Sequence, residues 1–243
     1  MPGAASPAAF PFAMIGFDLD GTLVDSLPDL APALNHALAR SGRQAVPAEA
    51  VRAMIGGGTA RMLERALEWT GGPLPDDELA LRRGDLLAFY ERHIADHTVP
   101  YDGCLAALDA LAARGCRLAV VTNKLEAYAR ALLEALGMAD RFTCILGGNS
   151  LGPGRAKPAP DLIHEAIRRC RAAGAPADGR FAMVGDSSFD IRAARAAGVA
   201  SVAVSFGYND APVDQLGADA VIGHYRELLP ALERLSAFSP RPA

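Results

Sequence analysis

The chain has 243 residues, of which 51% are hydrophobic and 21% charged, with a net charge of −4. So large an apolar share excludes wholesale disorder, and an acidic balance without any Lys/Arg tract excludes nucleic acid as the main partner. Asp or Arg interrupts every apolar run before it reaches the length of a membrane span, so no membrane partner is expected.

The opening "MPGAASPAAFPFAM" carries no positive residue ahead of the first strand. It reads as a short disordered arm rather than a secretory signal, with order expected near Phe10 and Phe12. The run "MIGFDL" is the first strand. From about Asp25 to Thr98 only helical patterns occur, among them "LPDLAPALNHALARSG", "TARMLERALEWTGG" and "DDELALRRGDLLAFYERHIADH". Trp69, with Leu63, Leu67 and nearby apolar residues, is expected in the core of that helical stretch. Strand and helix alternate again from near Tyr101, through "RLAVVTN", "CILGG", "FAMVGD", "SVAVSFG" and "AVIG". The helices between them close on Gly137, Gly174 and Gly198, as left-handed C-caps favour.

Alternation of this kind predicts an α/β fold, a Rossmann-like parallel sheet covered on both faces. The core is expected to be discontinuous, 1–24 plus 99–243, with a helical cap inserted at 25–98. Cys104, Cys116, Cys144 and Cys170 are scattered, without a CxxC or a His at zinc spacing, which suits reduced thiols in a cytoplasmic protein. His93 and His97 share a helical face but have no third ligand in view.

In an open parallel sheet, ligands bind beyond the carboxyl ends of the strands. The first strand ends in Asp18-Leu19-Asp20-Gly21, a later one in Thr122-Asn123, and another in Gly185-Asp186 with Asp190 four residues on. A loop contributes Lys157 in "AKPAP". Four segments would thus converge on one edge with four carboxylates, a lysine, a hydroxyl and an amide. Clustered carboxylates repel unless a cation sits among them, and hard oxygen ligands suit Mg²⁺. Together with Lys157, that ion would make a positive floor for a phosphoryl group. Thr122, Asn123 and the backbone N–H groups around Gly21 would bind its oxygens. An Asp can act as nucleophile, and a carboxyl two residues on can shuttle the proton.

These residues resemble the haloacid dehalogenase superfamily of phosphohydrolases. "DLDGTLVDS", "VVTN", the lysine of "KPAP" and "VGDSSFD" are similar to its four motifs, in order, over nearly the whole chain. The resemblance implies Asp18 as nucleophile, Asp20 as general acid/base, and Mg²⁺ held by Asp18, the Asp20 backbone carbonyl and Asp186. Asp190 would support metal and lysine, and Thr122, Asn123 and Lys157 would bind the phosphoryl group. An Asp at position 20 argues against the dehalogenase branch itself. "MIGGGTARMLERAL", "ILGGN" and "SFGYND" resemble the phosphoglycolate phosphatase group, which implies hydrolysis of 2-phosphoglycolate to glycolate and phosphate. Asn149, where that group suggests Asp, and the insert-like "SLGPGRA" depart from the pattern next to Lys157.

Within the helical stretch, "IGGGT" reads either as a plain helix–helix turn or as a loop whose backbone N–H groups reach a small anion. On the second reading Gly57 and Gly58 approach the substrate carboxylate, with Thr59 at the helix N-cap and Arg61 near its start. The core motifs fit several rivals: a phosphatase of another sugar or amino-sugar phosphate, a pyrophosphatase, or a sugar phosphomutase. A catalytically silent sensor of a phosphorylated metabolite is the rival outside enzymes. The sequence does not choose between monomer and homodimer.

Overall fold

The computed structural model describes residues 10–237. The expected N-terminal arm falls outside them up to Ala9; Phe12 is buried and Phe10 packs against the same core. In chain order the strands are β1 (Met14–Phe17), β2 (Val24–Asp25), β3 (Val99–Pro100), β4 (Arg117–Val121), β5 (Cys144–Leu146), β6 (Phe181–Gly185), β7 (Ala200–Val204) and β8 (Ala220–Ile222). Six of them form one parallel sheet in the order β5-β4-β1-β6-β7-β8.

Strands this uniformly apolar need cover on both sides, and they have it. Successive side chains point to opposite faces. Ile15, Phe17, Val120 and Val184 pack on one face with α5 (Cys104–Ala113), α6 (Glu126–Ala135) and α9 (Leu228–Arg234). Met14, Ala119, Val121 and Met183 pack on the other with α7 (Asp161–Ala172) and α8 (Ser188–Ala196). Gly137, Gly174 and Gly198 do adopt positive φ at the ends of their helices. All four cysteines are buried and free.

Between β2 and β3 run α1 (Leu27–Arg40), α2 (Ala48–Arg52), α3 (Gly58–Thr70) and α4 (Asp76–Arg92). Their apolar faces meet in a separate cluster that includes Leu34, Leu38, Leu63, Leu67, Leu86 and Tyr90. The sequence shows no strand in this region, yet β2 and β3 pair antiparallel where the chain leaves the sheet layer and returns, Val24 opposite Pro100 and Asp25 opposite Val99. Two residues are too few for any period to show. Buried Asp29 ties the same two ends together, accepting from the His97 and Thr98 N–H groups and the Thr98 hydroxyl at 2.6–3.1 Å. The Tyr208 hydroxyl donates to Asp25 (2.7 Å) and accepts from the Leu27 N–H (2.8 Å).

Trp69 departs from expectation. It is 64% exposed, in the last turn of α3, and borders a surface groove with Ala50, Ala53 and Met54 rather than filling the helical core. His93 turns to Asp96, with Nδ1 2.7 Å from its carboxylate.

Candidate active site

Register brings the strand ends level. Phe17 pairs with Val120 on one side and Val184 on the other, so Asp18, Thr122 and Asp186 emerge at one edge. The ladder continues one step further: the Asp18 N–H donates to the Val184 carbonyl and the Thr122 N–H to the Leu146 carbonyl, both at 2.9 Å.

Asp18 is buried, with its Oδ1 2.9 Å from the Lys157 ammonium. Lys157, also buried, pairs at 2.5 Å with Asp190. The other oxygen of Asp190 accepts from the Ser187 N–H and hydroxyl, closing the first turn of α8. Asp190 is therefore at once the acid of a helix capping box and a carboxylate of the site. Asp186 accepts from the Thr22 hydroxyl (2.9 Å) and the Tyr208 N–H (2.7 Å). Gly21 turns beside it at φ +80, where a Cβ would strike the Asp186 carboxylate.

Ligand oxygens of Asp18, Asp186 and Asp190 all lie within 4.8 Å of one another. Burial pushes the Asp18 carboxyl up to about 6, against the pull of Lys157 and with a further push from Asp190. Burial likewise raises Asp186 well above the ordinary carboxylate range, reinforced by Asp18 and Asp190. Three clustered, buried carboxyl groups thus share a single ammonium. An all-oxygen cluster short of positive charge fits a hard divalent cation.

Thr122 is buried, its hydroxyl oxygen accepting from the Lys124 N–H at 3.2 Å. The Asn123 amide donates to the carbonyls of Gly56 and Lys157, both at 3.0 Å, while its Oδ1 is buried without a partner. Both of its donors thus link the glycine loop to the lysine loop instead of facing Asp18. Asn149 accepts from the Glu126 N–H (2.9 Å) and Ser150 bonds the Glu126 carboxylate, so the departing loop is anchored at the start of α6.

Sequence reasoning passed over Lys124. Its ammonium lies 3.0 Å from both oxygens of Asp20, with side-chain exposures of 3% and 12%. The Ser26 hydroxyl donates to the same carboxylate at 2.6 Å, and the Tyr90 ring of α4 packs 4.5 Å from the ammonium. Burial acts most strongly on Lys124 and against its charge, but Asp20 and Tyr90 together hold its pKa above the usual lysine range. The one signal available was adjacency, a lysine directly after "VVTN".

A narrow cleft separates these strand ends from the inserted helices. Asp18, Asp20, Thr122, Asn123 and Lys124 line one wall; Leu30, Ile55, Gly56, Gly58, Thr59 and Met62 line the other. Gly57 borders only a wider outer opening, and Arg61 is exposed and belongs to neither lining.

Comparison with known proteins gives the family. The family model described as "Haloacid dehalogenase-like hydrolase" matches residues 15–204. A "Phosphoglycolate phosphatase" of Caulobacter vibrioides is 39% identical over 230 residues, 95% of this chain and 94% of that one. A protein of the same name from Rhodospirillum rubrum is 43% identical over 217 residues, 87% of each chain. Among solved structures, that of a predicted phosphoglycolate phosphatase from Haemophilus somnus superposes with a TM-score of 0.82 at 34% identity, over 90% of this chain and 97% of that one. The chain belongs to the haloacid dehalogenase-like hydrolase family, as a phosphoric monoester hydrolase.

Proposed function

We propose that this protein is a cytoplasmic, Mg²⁺-dependent phosphatase of 2-phosphoglycolate, working through an aspartyl phosphate. The observation that carries the chemistry is Asp18, buried at the end of the central strand and beside Lys157 and Thr122. The relatives named phosphoglycolate phosphatase, at 39% and 43% identity over most of the chain, support the substrate.

Asp18, Asp186 and the Asp20 backbone carbonyl would hold the ion, with Asp190 in support. When bound, it supplies positive charge that offsets the carboxylates and the phosphoryl oxygens. Lys157 and Thr122 orient the phosphoryl group in line with Asp18. An Asp18 oxygen attacks phosphorus as the ester P–O bond breaks, and Asp20 gives its proton to the departing oxygen. Water then attacks the aspartyl phosphate, Asp20 takes the proton, and inorganic phosphate leaves. Residues 25–98 act as a cap on a core of 1–24 and 99–243. The cap closes to exclude water during transfer and opens to admit substrate.

The test is phosphate release from a panel of small esters, with Mg²⁺ and with EDTA. The reading expects kcat/KM for 2-phosphoglycolate well above that for sugar phosphates and p-nitrophenyl phosphate, and lost in EDTA. A flat profile removes the substrate and keeps the mechanism; phosphoryl transfer without phosphate release points to a mutase.

A further inference from the structure

Lys124 is the only cation among the residues that line the inner cleft. Opposite it the wall is glycine, apolar side chains and Thr59, and exposed Arg61, whose side chain lies against Gly57, is not among the lining residues. Gly58 and Thr59 open α3, so an anion in this cleft also sits at the N-terminal end of a 13-residue helix. Asp20 poses a complementary problem. Lys124 engages both of its oxygens and Ser26 one of them, so in this arrangement neither is free to reach a leaving group. A buried ammonium that lets go of one carboxylate needs another anion in its place, since an unpaired buried charge is strongly unfavourable.

We infer that Lys124 is the residue that recognises the substrate's carboxylate, and that this carboxylate displaces Asp20 from it. The ligand class is a phosphate ester of a short α-hydroxy acid, in which the carboxylate lies one carbon from the ester oxygen. This rests on the substrate reading above, because it needs an anion on the organic half of the ester. The exchange swaps one carboxylate for another on the same ammonium, so the charge of the pair is unchanged. Asp20, released from the ammonium, takes up a proton from solvent and turns it toward the ester oxygen. Binding of the correct substrate and release of the acid are one event, and an ester without a carboxylate leaves Asp20 on Lys124. Tyr90 holds the ammonium from the α4 side throughout.

The experiment compares Lys124→Met and Lys124→Arg with wild type on 2-phosphoglycolate, ethyl phosphate and p-nitrophenyl phosphate. Ethyl phosphate replaces the carboxylate by a methyl group, and p-nitrophenolate leaves without needing an acid. The readout is the ratio of kcat/KM between substrates on one preparation, so a fraction of misfolded protein cancels. Lys124→Met should lower kcat/KM for 2-phosphoglycolate by about 100-fold, as loss of a charge-assisted contact implies. Any loss on the other two substrates should be much smaller, so that the preference for 2-phosphoglycolate collapses in the ratio, and Lys124→Arg should retain most of that preference. In the wild type, the carboxamide analogue of 2-phosphoglycolate should behave like ethyl phosphate. A preference for 2-phosphoglycolate that survives in Lys124→Met overturns the assignment and leaves the substrate reading standing. An equal loss on all three esters also overturns it, because Lys124 then serves only Asp20. A wild type with no preference for the carboxylate ester overturns the substrate reading, and this inference with it.

Discussion

Lys157 and Asp190 form a fully buried ion pair, and the same ammonium lies 2.9 Å from Asp18. One lysine from a loop is thus the only side-chain cation paired with these three clustered carboxylates among the described residues. Removing it should be costly twice over. Lys157→Met is expected to lower stability in EDTA by about 3 kcal/mol, the scale for breaking a buried pair from one side. It should also lower kcat by at least about 100-fold through loss of phosphoryl-oxygen stabilisation. Mg²⁺ should raise the Tm of the variant more than that of the wild type, because more uncompensated negative charge awaits it. Paired thermal melts with and without Mg²⁺ check this; an equal rise in both proteins contradicts it.

Asp18→Asn should behave in the opposite way for stability. Burial pushes this carboxyl up to about 6, which means the fold disfavours its charge at neutral pH. A carboxamide of the same shape removes that cost and the repulsion from Asp186 and Asp190. The metal-free variant should therefore melt at or above the wild-type temperature. Its turnover should fall by at least about 1,000-fold, as for loss of a nucleophile that acts as part of a unit. Retained turnover would refute covalent catalysis by Asp18.

Much of this arrangement was legible because parallel strands leave a plain trace. Runs such as "FAMVG" are apolar at every position, and the polar residues that follow mark the strand ends where ligands bind. What was not legible depends on distance along the chain. Asp20 and Lys124 stand 104 residues apart, and nothing in "VVTNK" says that the lysine rather than the asparagine faces the aspartate. Asp29 reads as an ordinary first-turn acid of α1, though its acceptors serve residues 97 and 98. Trp69 lies seven residues after buried Met62, so helical period places both on one side. Period does not tell where the neighbouring helices stop, and at Trp69 they no longer cover it.

Asp29 carries a prediction of its own. It accepts from two backbone N–H groups and a hydroxyl, all at the point where α1 and the segment after α4 meet. Asp29→Ala leaves those donors without a partner in a buried place, and each such loss costs about 1–3 kcal/mol. A destabilisation of about 3 kcal/mol is expected in urea unfolding, with faster amide hydrogen exchange at His97 and Thr98. Asp29→Asn, which keeps one acceptor oxygen, should lose less. Unchanged exchange at those two amides in Asp29→Ala would show that the carboxylate does not hold this junction.

The glycine loop separates two substitutions that the sequence treats alike. Gly57 has φ −88, open to any residue, and a Cβ there would meet only the flexible Arg61 side chain. Gly58 has φ +84, and its Cβ would sit 3.1 Å from the Asn123 carbonyl oxygen at the end of β4. Alanine at 58 therefore combines left-handed strain of about 1–2 kcal/mol with pressure that pushes the loop off the cleft wall. Since 1.4 kcal/mol corresponds to a factor of ten, Gly58→Ala should raise KM for 2-phosphoglycolate about tenfold. The rise for p-nitrophenyl phosphate should be smaller, because its uncharged ring makes no use of the anion-favouring start of α3. Gly57→Ala should leave both KM values within about twofold, given an ordinary backbone conformation and a side chain free to move. Steady-state kinetics on the two variants decides it. A larger effect at 57 than at 58 would mean that contact with Arg61, not the close approach of the loop to Asn123, shapes the substrate pocket.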